Sequence, residues 1–501
     1  MPFKYVHFAT FPQIQFERAE VTLEGSQVNL RPTDNKRLAY PSFRQVIMMS
    51  SNDSTGNPII LNSIFSVEDA SVKAEGEGGK PGYSSRASVS KPTTLCGIIP
   101  LSWILLPDDG GEVHIKNSDV STVFLLLNYM IGSGIVVQAY AFSQSGIIVI
   151  IFEYIVISIL NYVGVNLLIL CAEETKIFDY SQVAESILGV NGGRLVDISI
   201  CFGGFGSLLS YILVVGSLLT GVAEHCPGWF CSVEFLTLIP LFLVTVPLCL
   251  LRKFGHLAIA SYISIAVIGS IVLLVIIGGP AQHPHAVSNV RLGNFLGSTR
   301  TIGDVVFALG YITATFHSYN AMENRNINSF NTVAKTTMGL GAMMCFFTGL
   351  AGYLSFGDDT KSNILENFSG PLGGVFKTAL VIHLLLYIPG DFVIMRDSIL
   401  KLAHVDVNTM SDFAFITFSL LCLGVITLVA LLLQVMLSST DSLAIVVDIT
   451  GGICGSMLYF VIPALCAMKL FYNDREIFWR SVVLLFFGMA IIACVFVSVS
   501  V

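Results

Sequence analysis

The chain has 501 residues, 54% hydrophobic and 12% charged, with a mean hydropathy of +0.76, far from the composition of soluble domains. Residues 1–117 hold 11 Lys+Arg and 12 Asp+Glu, leaving 15 and 22 for the rest, so the net charge of −8 offers no basic surface for nucleic acid. No HExxH or CxxC motif and no paired intramembrane aspartates occur, so an enzyme is not expected.

Residues 1–117 are rich in Ser, Gly, Pro and charge and keep no period of 3.6 or 2, which reads as a disordered cytosolic N-terminal tail. Within it, Arg86-Ala-Ser88-Val-Ser90 suits a basophilic kinase, and cytosolic regulators are the partners such a tail implies. Leu95 to Pro107 is apolar but too short to cross a bilayer. Lys4 and scattered polar groups leave no apolar signal-peptide core at the start.

Residues 118–501 form the second domain, an all-α membrane protein. Eleven apolar segments of spanning length follow one another at approximately 118–144, 147–171, 196–222, 233–251, 257–278, 302–319, 336–356, 372–395, 411–435, 443–470 and 478–499. With the tail inside, the inner loops carry eleven Lys and Arg, and the outer side four: Arg291, Arg300, Lys361 and Lys377. That asymmetry predicts a cytosolic N-terminus and an extracellular or luminal C-terminus. Two features fall on the outer side: Cys226 and Cys231, which share a polar loop and whose pairing is left open, and the glycosylation sequon Asn367-Phe-Ser369. An odd count of eleven suits five plus five helices in inverted repeat with one added, so that segments one and six are related and both break at mid-membrane.

Asn128-Tyr-Met-Ile-Gly132-Ser133-Gly134 places two glycines in the middle of the first segment. In hydrocarbon an interrupted helix exposes amides and carbonyls that cost several kcal/mol apiece unless a cavity, an ion or a ligand meets them. The half-helix starting after Gly134 offers unpaired amides and a positive dipole end to a carboxylate, with Ser133 and Gly134 as the donors. The preceding half ends in unpaired carbonyls near Ile131, and Asn128 lies about one turn earlier, where its amide oxygen could coordinate a cation. The alternative is that the glycines only let a neighbouring helix approach. Segment six repeats the pattern with Gly310, followed by Tyr311, Thr313 and Thr315.

Ionisable groups inside spans come next. Glu153, in segment two, is either a proton-titrating group or the partner of a polar neighbour. His383, in segment eight, is a candidate proton carrier or a neutral, hydrogen-bonded histidine. Asp391, eight residues on, is read as an interfacial ion pair with Arg396 in preference to a transport role. Phe307, Tyr311 and Tyr387 are candidate walls of a substrate pocket or ordinary packing.

On these residues the chain resembles the amino acid/auxin permease family, nearest to its sodium-coupled neutral amino acid transporter branch. The resemblance rests on Asn128 to Ile135, Ala139-Tyr-Ala-Phe142 and Gly146, then Pro247-Leu-Cys-Leu-Leu-Arg252, Gly352-Tyr-Leu-Ser-Phe-Gly357, Asp448-Ile-Thr-Gly-Gly452 and Tyr459-Phe-Val-Ile-Pro463-Ala464. It implies the eleven-helix, five-plus-five inverted-repeat (LeuT-like) fold, with an amino acid held at the breaks of helices one and six. By the first-helix match, Asn128 is the sodium-binding asparagine, and the backbone of Ile131, Gly132, Ser133 and Gly134 holds the substrate carboxylate. Where sodium-coupled relatives place a hydroxyl shortly before a proline on helix eight, this chain reads His383-Leu-Leu-Leu-Tyr387-Ile-Pro389, so a proton competes with sodium as the coupling ion. The loop from Gly279 to Thr301 lacks the family's cysteine and sequon, and Gln138 replaces a usual apolar or Pro position.

The expectation is therefore a secondary active transporter moving amino acids, of the neutral L type, by alternating access. It needs no cofactor beyond its ion and resides in the plasma membrane or a vacuolar or endolysosomal membrane. The competing reading is an amino-acid sensor of the same fold that signals through its tail with little flux.

Overall fold

The computed structural model describes residues 117–223, 232–250, 258–282, 290–407, 409–436 and 439–500, together with seven short strands before residue 101. In a first unit, Met1–Ser90, strands β1 (Val6–Phe8), β2 (Glu17–Glu24), β3 (Gln27–Pro32), β4 (Ile47–Asn52) and β5 (Pro58–Leu61) form an antiparallel sheet of order β3-β2-β1-β4-β5. The second unit opens with the two-residue pair β6 (Thr94–Leu95) and β7 (Ile99–Pro100). The remainder of the expected disordered tail, the Arg86–Ser90 segment, and Cys226 and Cys231 lie outside the described residues.

From Ser118 onward the secondary-structure elements of the described residues are helices. Ser118 caps α1 (Asp119–Met130), accepting the Ser121 amide at 3.2 Å, and Asp119 stands at the positive end of the helix dipole. There follow α2 (Gly134–Ser145), α3 (Ile147–Thr175), α4 (Tyr180–Leu188), α5 (Val190–Ala223), α6 (Val233–Pro240) and α7 (Ala258–Leu273). The second half holds α8 (Ile302–Ala308), α9 (Ile312–Ala321), α10 (Ile327–Phe356), α11 (Gly370–Leu402), α12 (Asp412–Met436), α13 (Ser439–Ile449), α14 (Ile462–Leu470) and α15 (Arg475–Ser500). Two π-helical stretches, Thr450–Gly455 and Met457–Val461, join α13 to α14.

The solvent these helices require is read from their exposed faces. On α3, Ile148, Phe152, Ile155 and Ile159 are exposed at spacings of three and four, while Ile150, Tyr154, Ile157 and Leu160 on other faces are buried. An apolar outer stripe on a helix that already buries its inner face is a lipid contact. α12 repeats this with Leu421, Val425, Leu428, Leu432 and Val435 exposed. Among the described residues seven helices are long and apolar enough to span a membrane, or eight when α1 and α2, bent by 59°, count as one. The other three expected segments differ from that length. The fourth and fifth have apolar helices of 10–17 residues, Glu234–Cys249 and Ser264–Gly278, and the sixth is the broken pair α8 and α9.

Small residues let the elements around the breaks touch backbone to backbone. A carbon added at Gly134 would fall 2.8 Å from the Cα of Ala308, so α2 lies directly on α8. A carbon at Gly451 would fall 2.7 Å from the Phe307 amide, so the π stretch covers the other side of α8. Gln138, fully buried, ties α2 to α8. Its amide donates to the carbonyls of Gly134 at 2.8 Å and Asp304 at 3.2 Å, and its oxygen accepts from Tyr154 at 2.6 Å.

The sequon meets a structural obstacle. The Asn367 amide donates to the Asp359 carbonyl at 2.9 Å, and its oxygen accepts the Lys361 amide at 3.0 Å, so both ends of the group that glycosylation must free are engaged in closing the loop. Asn367→Gln is therefore expected to leave gel mobility unchanged in a glycosylating host, with or without peptide N-glycosidase; a mobility shift on either comparison would show the site in use.

Candidate functional site

Both glycine-marked breaks are present. The last hydrogen bond of α1 runs from the Ile131 amide to the Leu127 carbonyl at 2.9 Å, and α2 begins at Gly134. Among the described residues no backbone acceptor meets the amides of Gly132, Ser133, Gly134 and Ile135. The second break spans Leu309 to Tyr311 between α8 and α9, and the Asn161 amide meets its Leu309 carbonyl at 3.3 Å. At the first, the Tyr387 hydroxyl donates to the Tyr129 carbonyl at 3.0 Å. These side chains satisfy carbonyls that an unbroken helix would satisfy itself, as hydrocarbon demands.

Both breaks face one cavity of about 80 Å³, whose walls include Tyr129, Gly132, Tyr211, Phe307, Gly310 and Thr313, with Asp391, Thr450 and Tyr459. That is several times the roughly 10–15 Å³ a single water needs on the same measure, so the pocket has room for a small solute. Gly132 and Gly310 leave it open. A carbon at Gly132 would stand 3.1 Å from the Tyr211 hydroxyl, and one at Gly310 would strike the Tyr459 ring.

The expected substrate residues distribute as follows. Gly132 and Phe307 line the cavity, and Ile131 is buried at the break. The Ser133 hydroxyl pairs with Ser210 of α5 at 2.6 Å, which leaves its backbone amide, not its side chain, for a ligand. Gly134 is packed on α8, as the close-packing alternative expects, and its amide meets no backbone acceptor among the described residues. Tyr311 reaches the Ala334 carbonyl at 3.4 Å and Tyr387 packs edge-on against Tyr211 at 5.5 Å; neither is among the residues lining the cavity.

The expected ion residues separate into two groups. Asn128 and His383 are joined through Ser264 of α7, whose hydroxyl donates to Asn128 Oδ1 and lies 2.8 Å from His383 Nδ1. A hydroxyl has one hydrogen; with it on Asn128, the serine oxygen must accept from Nδ1–H, which leaves His383 Nε2 as a bare acceptor. That nitrogen is buried with no hydrogen-bond partner. Glu153 stands apart, accepting from the Ser298 hydroxyl, near the fully buried Asp304 and near Asp448, which accepts the Gly303 amide at 2.8 Å. None of these three lines the cavity.

Asp391 departs from its expected place. It lines the cavity and accepts the Tyr211 hydroxyl at 2.8 Å, whereas Arg396 pairs with Asp397 at 3.2 Å and donates to the Cys249 carbonyl at 3.2 Å. Sequence reasoning also passed over Ser264, Asn161, Tyr211 and Tyr459. For Asn161 the signal was present, an amide inside an apolar span; for Ser264 none existed, because single serines pack in many membrane helices.

These features define a multi-pass helical membrane protein with an interrupted first span opening on a central pocket. The chain belongs to the family described as transmembrane amino acid transporter protein, which matches residues 116–501, a family of membrane transporters and not of enzymes. It is 24% identical over 408 residues to amino acid transporter AVT6E of Arabidopsis thaliana, covering 74% of this chain and 82% of that protein. It is likewise 24% identical over 375 residues to a protein of Rattus norvegicus provisionally named sodium-coupled neutral amino acid transporter 11, covering 73% and 81%. Among solved structures, a manganese transporter mutant from Eremococcus coleocola aligns at 12% identity with a TM-score of 0.47, covering 79% of this chain and 88% of that one.

Proposed function

We propose that the protein is a secondary active transporter that moves amino acids, of the neutral L type, across a membrane by alternating access in symport with sodium or protons. The observation that carries this reading is that two separate chain breaks, the first with amides that meet no backbone acceptor among the described residues, open on one cavity. We read the eleven apolar segments as the five-plus-five inverted repeat with one helix added, the tail in the cytosol and the C-terminus on the far side of a plasma or endolysosomal membrane. The substrate carboxylate meets the amides of Gly132 to Ile135 at the positive end of α2.

Of the two ions, the proton has the stronger support in side-chain chemistry. Asn128 Oδ1, the oxygen a sodium ion would need, already accepts one hydrogen bond from Ser264 and has one lone pair left, whereas His383 Nε2 is an acceptor with no donor at all. The rat relative's name points instead to sodium. Uptake of labelled L-amino acids into proteoliposomes, with a sodium gradient and a pH gradient imposed separately, tests the proposal. Concentrative uptake under one gradient is expected, and uptake of no amino acid under either would defeat it.

A further inference from the structure

We infer that Asp391, with Tyr129, Tyr211 and Tyr459, forms the receptor for the substrate's α-ammonium group, so that transport requires a free amine next to the carboxylate. This deepens the transport reading and rests on it.

Asp391 is the one charged side chain among the residues lining the cavity. Tyr211 occupies one of its oxygens, at 2.8 Å, and the other has no hydrogen-bond donor among the described residues. No ion pair to Asp391 forms among them either. An ionised carboxylate inside a membrane bundle costs several kcal/mol when no positive charge meets it, so a ligand that brings one gains most there.

The surroundings suit an ammonium. Tyr129, Tyr211, Tyr387 and Tyr459, from four different segments, all lie within reach of the Asp391 charge, and Tyr129, Tyr211 and Tyr459 share the cavity wall with it. Tyrosine faces attract a cation through the ring quadrupole and exclude water from the pair. The spacing then selects the α-amine. The Tyr211 hydroxyl lies 2.8 Å from the Asp391 carboxylate and 3.1 Å from the position a carbon on Gly132 would take, so the carboxylate and the first break stand on either side of one hydroxyl. A single carbon separates the two charges of an α-amino acid, and a zwitterion fits that short span with its carboxylate on the amides and its ammonium on Asp391.

The test uses full-length protein purified in detergent and in proteoliposomes, probed with L-alanine, L-glutamine and L-lysine, and with propionate as the amine-free partner of alanine. Binding is read by thermal shift and uptake by tracer flux. Asp391→Asn is expected to weaken binding and uptake of all three amino acids by about 100-fold or more, as loss of one partner of a buried charge pair does. Its melting temperature without ligand should hold, the preference for alanine over propionate should collapse, and Asp391→Glu should restore part of the loss. Asp391→Asn that binds alanine as well as the parent does, or still prefers it to propionate, overturns the inference while leaving transport intact. Loss confined to lysine overturns it too, placing a side-chain ammonium at Asp391. A parent that binds none of the probes defeats the transport reading and this inference together.

Discussion

Gly134→Val is expected to reduce amino acid uptake below about one hundredth of the parent at equal amounts of reconstituted protein, since a displacement of about 1 Å in a binding constellation can cost that much. The cause is the contact with α8. The Cβ would lie 2.8 Å from Ala308 Cα and 3.1 Å from the Phe307 ring, and the branched methyls must push α2 and α8 apart. Because Gln138 spans the same two elements through Gly134 and Asp304, the wedge also breaks that tie. Gly132→Ala is the milder companion. Its methyl meets only the end of the Tyr211 side chain, at 3.1 Å and 3.2 Å, so the break is kept and the wall shifts by a fraction of an ångström. Apparent affinity is then expected to fall about tenfold, the scale of one perturbed buried polar contact, with surface expression of both variants normal. Full uptake by Gly134→Val would mean that the α2 and α8 contact has no part in the transport cycle.

The break in the first span was legible because Gly132 and Gly134 flank a serine inside an otherwise apolar run, and hydrocarbon tolerates few reasons for that. Its partner at Gly310 was legible from its place in segment six, where an inverted repeat puts the second break. What the sequence could not supply was company across the bundle. Asn128 and His383 lie 255 residues apart and meet only because Ser264 stands between them, and nothing about that serine distinguishes it locally. Asp391 was read against the nearest cation in sequence. Five residues along a helix is about 140° around it, at 3.6 residues per turn, so Arg396 points elsewhere, buried over the Phe415 ring at 4.5 Å. The eleven segments were found as hydropathy, which records composition and ignores continuity. Segment six, predominantly apolar by composition, is two helices of 7 and 10 residues.

The Asn128, Ser264 and His383 chain leads to the second large effect. His383→Ala is expected to abolish concentrative uptake driven by a pH gradient, a loss of about 100-fold, while equilibrative exchange of substrate persists because His383 does not line the cavity. The sign follows from the open acceptor. A bare Nε2 takes a proton more readily as the pH on the source side falls, so parental uptake should rise with acidity there and the variant should be flat. Ser264→Ala separates this from simple loss of packing. It keeps the imidazole but removes the oxygen that holds Nδ1–H, freeing the ring to change tautomer, and the expected result is a shifted pH profile with uptake retained. A sodium-driven protein would behave differently: Asn128→Ala would raise the sodium concentration required, and His383→Ala would leave that requirement nearly unchanged. Measuring the four proteins under both gradients assigns the ion, since the histidine carries the dependence in one case and the asparagine in the other.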